Sequence, residues 1–274
     1  MSPDPAYLRY REFEKAAWER AAANYASSFE TVTALFARPL LDAVGCVAGL
    51  QVLDVACGSG YISSLAASIG AAPIGVDFSA GMVVQSRAQY PLISFAEADA
   101  ESLPFRDGSF DRVVIGFGVH HFPNPPLAIA EAHRVLRAGG RVAFSVWSAA
   151  EHALQQLLID AIGQVGVAKS SLSVPPQGDI NDGQSCLGLL RGAGFGLGST
   201  SVQKLEKIVV VESAARLIEV MLKGTARSSA LIRAQPPDIL PSVIANLDAA
   251  LQTYKKGTVF HVPAVAIFAV GTRR

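Results

Sequence analysis

The stretch VLDVACGSGYISSLAA (residues 52–67) decides the fold. Read from Leu50 as LQVLDV, its first half is a short apolar run ending in an acid, the pattern of a parallel strand buried on both faces. Small residues then turn the chain, and residues 59–69 read as a helix whose N-terminus offers unpaired N–H groups to a ligand. A dinucleotide site would want GxGxxG at this turn, but the third glycine position is Ser63. A nicotinamide-dependent oxidoreductase is therefore the less favoured reading. Asp54, four residues before Gly58, would repel a pyrophosphate and suits a ligand carrying positive charge. It is expected to hold the glycine turn through backbone N–H groups or to meet an ammonium through water.

Outward from that turn the chain alternates strands and helices. APIGVD (72–77), ISFAEAD (93–99), FDRVVIGF (110–117) and RVAFSVW (141–147) read as strands. Ser79 is placed to cap a helix reaching residue 89, and residues 124–137 read as a helix stopped by Gly139-Gly140. This alternation predicts a parallel sheet with helices on both faces. Before it, residues 9–44 read as helix, with Trp18, Ala22, Tyr25, Phe29, Val32 and Phe36 along one stripe. A break is expected near Ser27-Ser28, and a further short helix from Pro39. After it, helices are expected over 151–167, 182–194, 213–224 and 238–256, with a Pro/Gly loop, VPPQGD, at 174–179 and a split at Pro236-Pro237. TSVQKLEKIVVV (200–211) and VFHVPAVAIFAVGT (259–272) read as strands that would form an antiparallel edge.

With 274 residues, 50% of them apolar and 17% charged, the chain can bury a sizeable core and is not disordered in composition. Its net charge is zero, without the basic footprint of a nucleic-acid partner. The start, MSPDPAYLRYREFEK, lacks the apolar stretch of a secretory leader, and no apolar run is long enough for a membrane span, so a cytoplasmic location is expected. Three cysteines at wide spacing support neither a disulfide framework nor a zinc site. A small-molecule substrate is the expected partner, and nothing argues against a homo-oligomer.

Asp77 ends the second strand, where a carboxylate accepts ribose hydroxyls, and Phe78 beside it would cover an adenine face. Asp99 ends the third strand, placed to accept an adenine amino group, with the Ala100 N–H donating to a ring nitrogen. Three acids at three successive strand ends form one constellation at the ligand crevice of such a sheet.

VLDVACGSGYISSLAA, GVDFSAGMV, EADAESLPFRDGSFDRVV and HHFPNPPLAIAEAHRVLRAGGRVAFSVW resemble successive motifs of the class I S-adenosylmethionine (SAM)-dependent methyltransferases. They are most similar to the group typified by the ubiquinone/menaquinone-biosynthesis enzymes, strongly over residues 47–148 and more loosely at the Trp18-x6-Tyr25 stretch and the C-terminal part. The resemblance implies an α/β, doubly wound, mostly parallel seven-stranded Rossmann-like sheet. Residues 1–46 would be a helical cap, 47–211 with 258–274 the SAM-binding domain, and 212–257 a helical lid inserted before the last strand. It implies that Asp54, Ala56 and Gly58 to Gly60 surround the methionine moiety, that Asp77 holds the ribose, and that Asp99 and Ala100 hold the adenine. Gly116 would lie beside the amino-acid end, with Phe78 and Met82 in the same cofactor set and Tyr25 closing over it. The product would be S-adenosylhomocysteine.

Methyl transfer is an in-line displacement in which the protein chiefly aligns the reacting groups. A base is needed only if the acceptor must lose a proton. His120 and His121, just past the fourth strand, are the candidates for that role, and a brace for the loop is the alternative. His133, His152 and His261 read as structural or exposed. Trp18 and Phe117 are candidate substrate residues. The apolar C-terminal part favours a small, greasy acceptor, quinone-like or a secondary metabolite, methylated at carbon, oxygen or nitrogen. A SAM-binding regulator without transfer activity, and an enzyme of rearrangement or cyclisation, are the other readings of the same motifs.

Overall fold

The first helix starts where the sequence caps it. Asp4 accepts the Ala6 N–H, Pro5 occupies the first helical position, and α1 runs Pro5–Tyr25. The structure is a computed structural model describing residues 4–165 and 179–274. Apart from Asp179, the expected 174–179 loop lies outside the described residues. A turn at 26–29 separates α1 from α2 (Glu30–Val44), matching the break expected at Ser27-Ser28. Pro39, however, begins no new helix and sits inside α2. The bond it cannot donate is outweighed by burying Phe36, Leu40, Leu41 and Val44 on one face.

The chain then lays down β1 (Gln51–Val55), α3 (Tyr61–Ser68), β2 (Ala72–Asp77), α4 (Ala80–Gln89), β3 (Ser94–Glu97), β4 (Phe110–Gly116), α5 (Pro125–Val135) and β5 (Leu136–Trp147). Ser79 caps α4 by accepting the Met82 N–H. Gly139-Gly140 does not stop α5. The helix ends at Val135, and the glycines lie within β5. Leu136 pairs with Phe110 and Arg141 with Arg112, so the intervening residues bulge from the ladder. Next come α6 (Ala153–Gly163), α7 (Gly183–Gly192), β6 (Thr200–Val211), α8 (Ala214–Gly224), α9 (Arg227–Arg233), α10 (Leu240–Leu251), β7 (Lys255–Lys256) and β8 (Val259–Thr272). The sequence reading missed α9, since seven residues between Gly224 and Pro236 are too few to show a period.

The sheet order is β3-β2-β1-β4-β5-β8-β6, with the two-residue β7 paired to β8. The first five strands are parallel, and β8 runs antiparallel between β5 and β6. This is the doubly wound α/β architecture expected, seven strands with a short addition. One face is covered by α2, α6, α8 and α10, burying Phe36, Leu154, Ile218 and Leu247 against Phe268. The other is covered by α5 and α7, burying Ile129 and Leu190 against Leu53, Ile115 and Phe144. The strand order reverses between β1 and β4, so their carboxyl ends splay apart and leave a crevice.

Candidate functional site

Over that crevice lies a cavity of about 370 Å³. The two non-glycine residues held at positive φ among the described residues, Ala56 (57°) and Phe117 (56°), follow β1 and β4 and both line it. Strained backbone of this kind persists where the surroundings over-determine it, and it collects at ligand sites. Of the residues singled out in the sequence, Gly58, Asp77, Phe78, Met82, Asp99 and Ala100 line the cavity from the sheet side. Gly116 at the end of β4 and Phe117, His120 and His121 beyond it also line it, as do Trp18 and Tyr25 from α1. Asp54 and Gly60 do not reach it. Gly60 lies beneath the turn at φ 90°, where a Cβ would sit 2.7 Å from the Phe95 ring.

Asp54 is fully buried. Its Oδ2 accepts the Ser63 hydroxyl at 2.7 Å, and its Oδ1 has no partner. The glycine turn is held instead by Asp77, which accepts the Gly58 N–H and the Ser79 N–H, each at 2.9 Å. That corrects the first role expected of Asp54 and leaves the second, meeting an ammonium through water. Burial pushes Asp54 up to about 7, against the pull of Ser63, and Asp77 up to about 6, against its two backbone donors. Glu30, at the start of α2, hydrogen-bonds the Ser59 hydroxyl and is pushed by burial to about 7. Three buried or half-buried carboxylates, one of them with an orphaned oxygen, around one glycine turn suit a positively charged group. Tyr25 completes this corner. A Cβ on Gly58 would lie 3.4 Å from its ring, and its hydroxyl meets Thr33 at 3.1 Å.

The helix α1 crosses the cavity and is pinned by polar contacts once per turn. Tyr7 donates to Glu101, Arg11 pairs with Asp99 at 2.7 Å, Lys15 with Glu97 at 3.3 Å, and Glu19 accepts the Gly81 N–H at 2.9 Å. Asp99 is thus already engaged through Oδ2 by Arg11 and through Oδ1 by the Glu101 N–H. Deeper in, Glu14 is fully buried, with Oε2 2.9 Å from His121 Nδ1 and Oε1 3.4 Å from Arg227 Nε. Arg227 also reaches the Tyr10 hydroxyl and the His120 carbonyl. Sequence reasoning found none of Arg11, Glu14 or Arg227, because a charged side chain on a helix reads as a solvated face. The far wall is aromatic: Phe117 stacks on Trp147 at 3.9 Å, and Trp147 on His152 at 4.2 Å. His152 is therefore buried at the cavity, and burial lowers it to about 4. His133 packs edge-on to Phe195, away from the site.

Comparison with known proteins places this geometry. Residues 53–144 match the methyltransferase domain family Methyltransf_11. A demethylmenaquinone methyltransferase of Renibacterium salmoninarum is 42% identical over 111 residues, 40% of this chain and 47% of the relative. The chain spans about half the length of the curated relatives it matches. Among solved structures, the YcgJ protein of Bacillus subtilis superposes with a TM-score of 0.57 at 21% identity, over 88% of this chain and 99% of that one. A phosphoethanolamine N-methyltransferase of Haemonchus contortus, in complex with phosphomonomethylethanolamine and S-adenosylhomocysteine, gives 0.53 at 18%, over 87% and 52%. At those identities the likeness is one of fold. No helix among the described residues is long and apolar enough to cross a membrane. The matched motifs, the strand order and the glycine turn coincide in residues 53–144, the segment that matches a methyltransferase domain.

Proposed function

We propose that the chain transfers a methyl group from SAM to a small, fairly apolar, quinone-like or secondary-metabolite acceptor. One observation carries this: Asp77 at the end of β2 and Asp99 just after β3 line the same cavity as the Gly58 turn. Asp77 would accept the ribose hydroxyls with the lone pairs its backbone donors leave free, and Asp99 and Ala100 would take the adenine edge beside Phe78 and Met82. Ala56, Gly58 and Gly116 would form the methionine end, with Asp54 and Gly60 supporting the turn from beneath and Tyr25 closing over it. SAM supplies an electrophilic methyl on a sulfonium. The chain's part is to hold the acceptor in line, between Trp18 on α1 and Phe117 and Trp147 on the far wall, and to keep water out. In domain terms, 1–46 acts as cap, 212–257 as lid, and the rest as the SAM-binding body. The name of the Renibacterium relative supports the quinone-like class of acceptor.

Calorimetry with SAM, S-adenosylhomocysteine and NAD tests the cofactor, and release of S-adenosylhomocysteine with a panel of phenols, quinones and indoles tests the transfer. Binding of both sulfur ligands and turnover of a panel member are expected. Binding of NAD alone would overturn the reading.

A further inference from the structure

The pair Glu14 and His121 has no explanation in SAM binding. A carboxylate on α1 is buried completely, and its closest side-chain partner is an imidazole 107 residues away. Burying a carboxylate costs several kcal/mol in order of magnitude unless charge and hydrogen bonds compensate. Fastening α1 to α9 does not require it, since Tyr10 and Arg227 already meet each other and share the His120 carbonyl. What Glu14 does is fix one ring. An ionised carboxylate only accepts, so Nδ1 of His121 donates to it, and in the neutral ring Nε2 is then the acceptor. Trp18 holds that ring edge-on at 4.9 Å and His120 lies against it at 4.1 Å. The His121 side chain keeps 15% exposure on the cavity, and Nε2 has no partner among the described residues.

We propose that His121, oriented by Glu14, takes the proton of an acceptor hydroxyl, and that the acceptors are accordingly flat, hydroxyl-bearing rings of the phenol or enol kind. This rests on the methyl-transfer reading above. The acceptor O–H bond breaks toward Nε2 as the oxygen takes the methyl group. The electron pair of the old S–CH₃ bond stays on the sulfur, and the proton passes from the imidazolium to water at the cavity mouth. The stacked Phe117, Trp147 and His152 supply a flat wall for such a ring. His120 is unsuited to the role: burial, then the neighbouring His121, Arg227 and His152, hold it well below the usual imidazole range. The titratable or charged groups set around His121 are Glu14 and Tyr10 from α1, His120 in its own turn, Arg227 from α9 and Asp77 at the end of β2.

The test has two arms. In the ligand-free chain, nitrogen-15 NMR of the histidines at pH 8 is expected to show His121 as the Nδ1–H tautomer; an Nε2–H tautomer overturns the pair. With saturating SAM and a phenolic acceptor, His121→Asn is expected to lower kcat by about 10²–10⁴-fold, while the Kd for SAM stays within about threefold. Glu14→Gln should lower kcat less than His121→Asn and should loosen the Nδ1–H tautomer in the same NMR measurement, because an amide can donate as well as accept. A merely structural Glu14 would leave the tautomer unchanged. If Glu14→Gln does not fold, Glu14→Asp and the tautomer of the unmodified chain still decide. Retention of kcat within threefold by His121→Asn sinks the proposal, whereas failure of the unmodified chain to bind SAM sinks the wider reading and leaves the tautomer result standing.

Discussion

Ser63 donates its hydroxyl to Asp54 Oδ2 across 2.7 Å from the position where a dinucleotide turn would need its third glycine. The departure from one cofactor motif and the partner of the buried acid are therefore the same side chain. Ser63→Ala leaves both oxygens of a buried carboxylate without a side-chain donor. It should cost about 1–3 kcal/mol of stability, read as a lower Tm, and should weaken SAM at neutral pH by favouring the protonated acid.

Asp54→Asn should separate stability from binding. The folded chain holds Asp54 near 7, above its unfolded value, so the acid's contribution is fully present below the unfolded pKa and is lost as pH rises through 7. The amide removes that loss. The ligand-free variant should melt a few degrees higher at pH 8, roughly the 2–4 °C per kcal/mol expected of a chain this size, with the gain shrinking toward pH 4. SAM should bind it more weakly at every pH above 6, and an unchanged Kd at pH 8 would contradict the role given to Asp54.

The same carboxylates predict proton release on binding. Asp54 and Asp77 stand at about 7 and 6 in the ligand-free chain, and a cationic ligand draws both down. Affinity for SAM should rise from pH 5.5 to 7.5 and level off above. Calorimetry in buffers of different ionisation heat measures the protons directly.

Asp77→Ala removes the acceptor of the Gly58 and Ser79 N–H groups together with the proposed ribose ligand. SAM should bind about 1–3 kcal/mol more weakly, and Asp77→Asn, which keeps an acceptor oxygen, should fall between.

Gly60→Ala tests the packing beneath the turn. Its Cβ would meet the Phe95 ring at 2.7 Å with φ at 90°, so a loss of about 1–3 kcal/mol in stability is expected. An unaltered Tm would show that the turn relaxes freely.

The sheet was legible because its strands announce themselves locally. TSVQKLEKIVVV and VFHVPAVAIFAVGT proved to be β6 and β8 residue for residue, since long β-branched runs leave little room for another reading. The errors fell where tertiary packing overrides a local signal, as with Pro39 inside α2 and the glycines bulging from β5. In the site, the strand-end acids were legible because topology carries strand ends to one edge. Glu14, Arg11 and Arg227 were not, since their meaning lies in contacts such as Arg227 to Glu14, 213 residues apart.

The cavity's two walls differ in what they share with known proteins. Its sheet side comes from the segment that the methyltransferase family matches, residues 53–144, while Trp18, Trp147, His152, Met221 and Arg227 reach it from outside that segment. The outer wall can therefore change, and with it the molecule that the cavity admits, without touching the residues that the family model matches.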